Sequence, residues 1–457
     1  MIVRHWSGTC TVAALAVLAG LLVTAPAAPD DLADLIPNLF NREIFLKPPG
    51  PGQFDHSTHF RDESDRLSTT GAVINQALAT QLSTFPITST SGGFTYSYDA
   101  SVGSFTRSSD SFGPLFTERA QTIGKGKWNV GFSYLSASYD AIDDLDLDGG
   151  ELVFHLTHGD TNQDNTHTNF FFEGDVIEAD TTIDLDSDIA TAFFTFGIND
   201  RFDVAIAAPI VSVDLRARAR LTILPLSTPN ASPPLHIFDD DSRVRDFTDD
   251  GSASGIGDLL LRGKYRLSGE SRSGWALAAD VRLPTGDEDE LLGTGATQTK
   301  LYAIGSTGWG TFSAHVNLGY TFSSGGSDLG GDVPDEYNYS LGLDWAVHPR
   351  VTINADFVGR TLLDTIQLES QATDFPFCNQ QSTAPGPPVC APGGTTVASL
   401  AELQASEGDL DLWLGAAGLR FNPTGNLLVS ANALFSLGDE GLLDEDVIPV
   451  VSIEYSF

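Results

Sequence analysis

The chain has 457 residues and is rich in Phe (28) and Gly (45). It has one Met, 19% charged residues and a formal net charge of −37. Such an acidic balance excludes nucleic-acid phosphates as a natural partner, because their recognition needs clustered Lys and Arg. The length would hold two or three globular domains, but the composition fits one large β structure better.

Residues 1–27 read as an export signal. Arg4 and His5 precede the apolar run Thr11-Val-Ala-Ala-Leu-Ala-Val-Leu-Ala-Gly-Leu-Leu-Val23, and Ala25 and Ala27 suit signal peptidase. The run has 13 residues, short of the ~20 a spanning helix needs, so Sec-type export is expected. Cys10 precedes the apolar core and is no lipoprotein cysteine. The two later cysteines, Cys378 and Cys390, lie close together and predict one local disulfide.

Residues 28–126 fit no barrel strand cleanly. Stretches 30–40 and 71–82 have the spacing of short amphipathic helices, and Pro48-Pro-Gly-Pro-Gly52 interrupts regular structure. Residues 93–107 alternate (Phe94, Tyr96, Tyr98) and suit an extra strand. The preferred reading is a segment folded into or under the lumen as a plug; a loosely ordered periplasmic extension is the alternative. His56 and His59 are spaced like a metal pair, with nothing else converging on them in sequence.

From residue 127 to the end, alternation predicts strands of the ~10 residues that cross a membrane as a β-barrel. The first holds Trp128, Val130, Phe132 and Tyr134. Long segments 175–198 and 202–223 follow, joined by Asn199-Asp200-Arg201. Later strands are marked by Leu259 to Leu267, Trp275 to Leu283, the weakly patterned 297–307, Phe312 to Phe322, Tyr337 to Val347, Val351 to Phe357, Trp413 to Phe421, and Leu427 to Leu437. The last is Asp446-Val-Ile-Pro-Val-Val-Ser-Ile-Glu-Tyr-Ser-Phe457, which alternates and stops on an aromatic residue.

That totals 12 strands. Short links (199–201, 268–273, 308–310, 348–350, 422–424) alternate with long ones (140–174, 224–254, 285–296, 323–335, 364–409, 438–446). This is the pattern of periplasmic turns and extracellular loops, and aromatic residues beside both kinds of link form two girdles. The expected fold is therefore all-β: a transmembrane antiparallel up-and-down barrel over residues 127–457, in the outer membrane of a Gram-negative-type bacterium. Its partners would be outer-membrane lipid, lipopolysaccharide and, through the C-terminal strand, the barrel-assembly machinery.

Inward positions carry both signs. Arg262, Lys264, Arg266, Arg282, Arg360 and Arg420 are basic; Asp258, Asp280, Asp344, Asp356 and Glu454 are acidic. They suit either a salt-bridged lumen or a polar, constricted path. In the long hairpin, residue numbers summing to about 400 should pair, setting Asp184 opposite Arg216 and Asp180 opposite Arg220. The other face then carries Ile183, Leu185, Val211, Val213, Leu215 and Leu221. This is an apolar wall at the extracellular mouth that either receives a hydrophobic small molecule or packs against loops or plug. A bulge at Pro209 would flip these faces. Asp144, Asp146 and Asp148 match the start of a Ca²⁺ loop, but position twelve is His155 instead of Glu. No other cofactor is expected. His155, His158 and His167 share that long link.

Four motifs carry a resemblance: Ser108-Ser-Asp-Ser-Phe-Gly-Pro-Leu-Phe-Thr-Glu-Arg-Ala120, Gly124-Lys-Gly-Lys-Trp-Asn-Val-Gly-Phe132, Gly255-Ile-Gly-Asp-Leu-Leu-Leu-Arg-Gly-Lys-Tyr265 and Asp280-Val-Arg-Leu-Pro-Thr-Gly-Asp287. From about residue 90 onward the chain resembles the outer-membrane family labelled "putative meta-pathway of phenol degradation". That resemblance implies a passive channel for small hydrophobic or aromatic compounds and carries over no binding residues. The alternative is a structural or surface-interaction barrel whose acidic loops bind divalent cations or partners. No Gly-x-Ser-x-Gly or Ser/His/Asp spacing points to an enzyme.

Overall fold

The computed structural model describes residues 31–41, 74–82 (except 76), 93–99, 104–107, 111–160, 170–270, 272–327, 331–383, 389–443 and 447–457, with isolated positions between 44 and 90. The export signal, His56, His59 and His167 lie outside them.

Twelve strands close into one antiparallel barrel. They are β1 (Trp128–Tyr139), β2 (Val176–Asn199), β3 (Phe202–Leu224), β4 (Leu259–Glu270), β5 (Ser273–Leu283), β6 (Thr297–Trp309), β7 (Phe312–Ser324), β8 (Glu336–His348), β9 (Val351–Cys378), β10 (Thr395–Phe421), β11 (Leu427–Ser436) and β12 (Ile448–Ser456). Each pairs with the next, and β12 returns to β1 in the register Val450↔Leu135 to Ser456↔Asn129. The seam is reinforced where Trp128 stacks on Phe457, ring centroids 3.8 Å apart.

Alternation sorts the two faces. Leu277, Leu301, Leu318, Leu341, Ile353, Leu419 and Val451 point outward and stay exposed, as an apolar belt must when lipid is the solvent. Polar neighbours such as Ser133, Thr195, Asn317, Asn354 and Ser430 point inward and are buried. Stacked Phe312 and Trp345 mark the short-turn girdle; Tyr320, Phe322 and Tyr337 mark the long-loop one. Among the described residues no helix is long and apolar enough to cross a membrane.

The long links differ from simple loops. β9 and β10 run for 28 and 27 residues, and β2 and β3 for 24 and 23, far beyond the ~10 that span. Leu152–Thr157 adds to the upper half of β2, and Val244–Ile256 to the upper half of β3. Most of 364–409 and parts of 140–174 and 224–254 are therefore sheet, because backbone groups rising above the membrane still need partners. The tip of the β9–β10 hairpin meets the open upper end of the β2–β3 pair, where Cys378 N donates to Ser227 Oγ at 2.9 Å and Phe170 bridges Val389. They form a dome.

The N-terminal segment lies inside this frame. Helix α1 (Leu32–Asn41) rests in the dome: Ala33 N donates to Asp289 O at 2.9 Å, and Leu32 and Leu35 lie over Gly251. Pro37 leaves the Ala33 carbonyl without its helical donor, and Asn75 Nδ2 donates to that oxygen instead. Described positions 74–82 are helical and also sit at the long-loop end, where Gln81 accepts from Leu442 N. Among the described residues of 93–107, Tyr96–Asp99 and Ser104–Arg107 pair with each other and not with a barrel strand.

Candidate functional site

Residues 111–123 form a strap across the lumen, held by side chains from six strands. Arg420 Nη1 on β10 donates to the carbonyls of Phe112 and Pro114 at 2.8 and 2.9 Å. On β9, Thr352 accepts from Phe112 N at 3.1 Å, and Asp356 accepts from the backbone N–H groups of Leu115, Phe116 and Thr117 at 2.9, 3.3 and 2.9 Å. Asn317 on β7 both accepts from Glu118 N and donates to Glu118 O. Ser306 on β6 accepts from Ala120 N at 2.9 Å, Lys264 on β4 donates to Arg119 O at 3.1 Å, and Asp203 on β3 accepts from Ile123 N at 2.9 Å. A second length lies beside it. Ser89 N donates to Leu115 O, Thr195 on β2 donates to Thr90 O, and Gly93 N donates to Glu454. A strap without regular structure exposes its amides, and inward carboxylates and amides of the barrel satisfy them.

Above the strap lies a cavity of about 130 Å³. Its wall holds Arg262, Asp280, Arg282, Lys300, Glu336 and Arg360, with Phe116, Leu260, Tyr302 and Val358 between them. Opposite charges are paired, as burial demands. Arg262 grips Asp280 through two bonds of 2.7 and 2.6 Å and also reaches Glu118. Arg360 holds Glu336 through bonds of 3.2 and 2.8 Å. Arg282 donates to Gln298 at 3.2 Å, and Lys300 lies 5.0 Å from the Tyr302 ring centre.

The residues expected to line the lumen thus divide. Arg262, Asp280, Arg282 and Arg360 surround the cavity; Lys264, Asp356 and Arg420 hold the strap. Asp344 accepts from the His315 ring at 2.7 Å. Asp258 organises the 285–296 link by accepting from Thr285 N, Gly286 N and Thr294 N at 3.1, 3.0 and 3.0 Å. Arg266 is half-buried near the short turns, where its N–H donates to Arg201 O. Sequence reading missed four residues of the cavity and strap. Glu118 lies inside a quoted motif, Glu336 falls one residue before its expected strand, and Lys300 and Tyr302 sit on the weakly patterned one.

The tall hairpin keeps its expected register through Pro209, with no bulge there. Ile183, Leu185, Val211, Val213, Leu215 and Leu221 are all buried, in one cluster with Leu32, Ile36, Leu39, Ile74 and Leu78. The chain's own N-terminal segment therefore covers that wall. The outer ion pairs change partners. Asp184 lies 4.0 Å from Arg218 in place of Arg216, and Arg220 bonds Asp246 at 2.8 Å in place of Asp180, because Val244–Ile256 brings Asp246 directly opposite it.

In the Asp144–Asp148 turn, Asp146 accepts from Asp148 N and Gly149 N at 3.0 and 2.8 Å. His155 is buried in a strand beside Glu178. Among the described residues no group of three or more His, Cys, Asp or Glu could hold a metal ion. Cys378 and Cys390 form a disulfide at the tip of the β9–β10 hairpin, Cα atoms 5.7 Å apart.

Among solved structures the chain is similar to an outer membrane channel from Pseudomonas putida F1 at 13% identity and TM-score 0.39, covering 74% of this chain and 98% of that one. It is also similar to the translocator domain of the autotransporter NalP from Neisseria meningitidis (10%, TM-score 0.32, 73% and 89% covered) and to a FadL homologue from Pseudomonas aeruginosa (12%, TM-score 0.30, 74% and 91% covered). At such scores the likeness carries no functional argument. A comparison with curated proteins finds no significant match. The model of the family described as "Putative MetA-pathway of phenol degradation" matches residues 157–372, and the chain's motifs resemble the same family.

Proposed function

We propose that the chain is an outer-membrane channel for passive uptake of small hydrophobic or aromatic compounds, held closed here by its own N-terminal segment. The observation that carries the reading is a closed barrel crossed by a strap, with a partly aromatic cavity directly above it. The family-model match over residues 157–372, with the motif resemblance, supports the channel class. The apolar wall of the tall hairpin supports the solute class, because the wall lies at the mouth and the chain's own α1 is part of what covers it. The cavity's charges are mostly paired across its wall, so an uncharged solute passes them without displacing a counter-ion.

Asp356 offers the test, since one carboxylate accepts three strap amides. Planar-bilayer conductance and entry of toluene into proteoliposomes are measured for the full chain and for Asp356→Ala. Loosening the strap is expected to raise toluene entry several-fold. Absence of both conductance and flux in both proteins would rule out a channel.

A further inference from the structure

The path of the N-terminal segment has a direction. α1 is at the long-loop end, tied to Asp289 and to the upper part of Val244–Ile256. Leu46 bridges Phe238, and Lys47 pairs with Asp241, both in the 224–254 link at the same end. Gln81 is still there, bonded to Leu442 N. Pro86, five residues on, lines the lumen cavity. Thr88, Thr90 and Gly93 then bond to the inward residues Ser133, Thr195 and Glu454. Residues 111–123 remain in the lumen, and the segment leaves at the opposite end, where Lys125 N donates to Asp200 and Gly126 N to Gly197 O. β1 begins there.

The short-turn end of an outer-membrane barrel faces the periplasm. We infer that the chain threads its own N-terminal segment outward through its barrel and presents α1 and residues 46–48 at the cell surface. Two features favour this over a segment that swings down into the periplasm. α1 buries Leu32, Ile36 and Leu39 in the dome while Asp31 and Asp34 stay exposed, so its apolar face is matched to the dome and its acidic face to water. The contacts of α1, Leu46, Lys47 and Gln81 also come from three separate links at one end of the barrel (224–254, 285–296 and 438–446), which only a segment at that end can reach. The inference is independent of what solute the channel passes.

Single cysteines read the topology in intact cells with a membrane-impermeant maleimide. The positions are Asp34→Cys and Lys47→Cys in the segment, Asn230→Cys in an exposed long link, and Thr424→Cys in a short turn. The expected result is that Asp34→Cys and Lys47→Cys label in intact cells as Asn230→Cys does, and that Thr424→Cys labels only after permeabilisation. Labelling of both segment cysteines only after permeabilisation, together with Thr424→Cys, overturns the threading. A protected Asn230→Cys with an open Thr424→Cys reverses the orientation and overturns it too. An external protease provides a second readout on the unmodified chain. Peptides from 31–48 released from intact cells support surface presentation; their survival while peptides of the 224–254 link are released does not.

Discussion

At the scale of single residues, the lumen is governed by the need to satisfy buried charge. Arg420 bonds Glu454, Ser430 and two strap carbonyls while almost wholly buried. Removing one member of a buried pair strands the other and typically costs 3–5 kcal/mol, roughly. Arg420→Ala is therefore expected to lower stability by about that amount in urea unfolding in micelles, and Arg420→Met with Glu454→Leu to lose much less. Above the membrane, His155 is a proton-sensitive position. Burial pushes its imidazole below the ordinary range, although Glu402 and Glu178 pull it up. The unfolded chain takes up that proton near pH ~6.5 and the folded chain only at lower pH. The stability His155 contributes is thus complete above ~6.5 and falls as pH drops below it. Hydrogen-exchange protection over 152–157, corrected for the intrinsic rate, should fall between roughly pH 7 and 5 and stay level in His155→Gln. Asp143 runs the other way: burial raises its carboxyl, so its contribution favours acid and shrinks as pH climbs past ~4.

At the scale of elements, all twelve strands and their order were legible in the sequence, because a strand between lipid and lumen must alternate at period two. What lay above the membrane was less legible. There both faces meet protein or water, and 364–409 reads as loop although it is largely sheet. The apolar face of the tall hairpin was readable; its covering was not, since α1 meets it from more than a hundred residues away. Leu215, 2% exposed, tests that packing. Leu215→Asp places an unpaired carboxylate in the dome core, a change of more than ~3 kcal/mol. Limited proteolysis should then cut the dome while the barrel keeps its heat-resistant mobility on gels. The same mobility measured for Phe457→Ala should reveal slower closure, because the Trp128 stack at the seam is lost.

At the scale of the whole molecule, the net charge of −37 and the mixed lumen belong to different places. Acid crowds the links and the dome surface, while the lumen pairs its charges. Of the candidate site, the inward side chains could be read from alternation, but their partners could not. The strap amides that satisfy Asp356 belong to a segment with no period to betray its path. That path has a mechanical consequence. One end of the strap broadens into the dome's packed core, and the other is covalently continuous with β1. Once β12 zips onto β1, the thread is captive: neither end can slip through the ring without unfolding something larger than the strap. The molecule is a ring locked around its own chain. The enclosed length is held at the long-loop end by the packing of α1 and at the short-turn end by its covalent run into β1, so the seam closed by Phe457 encircles a cord tied at both ends.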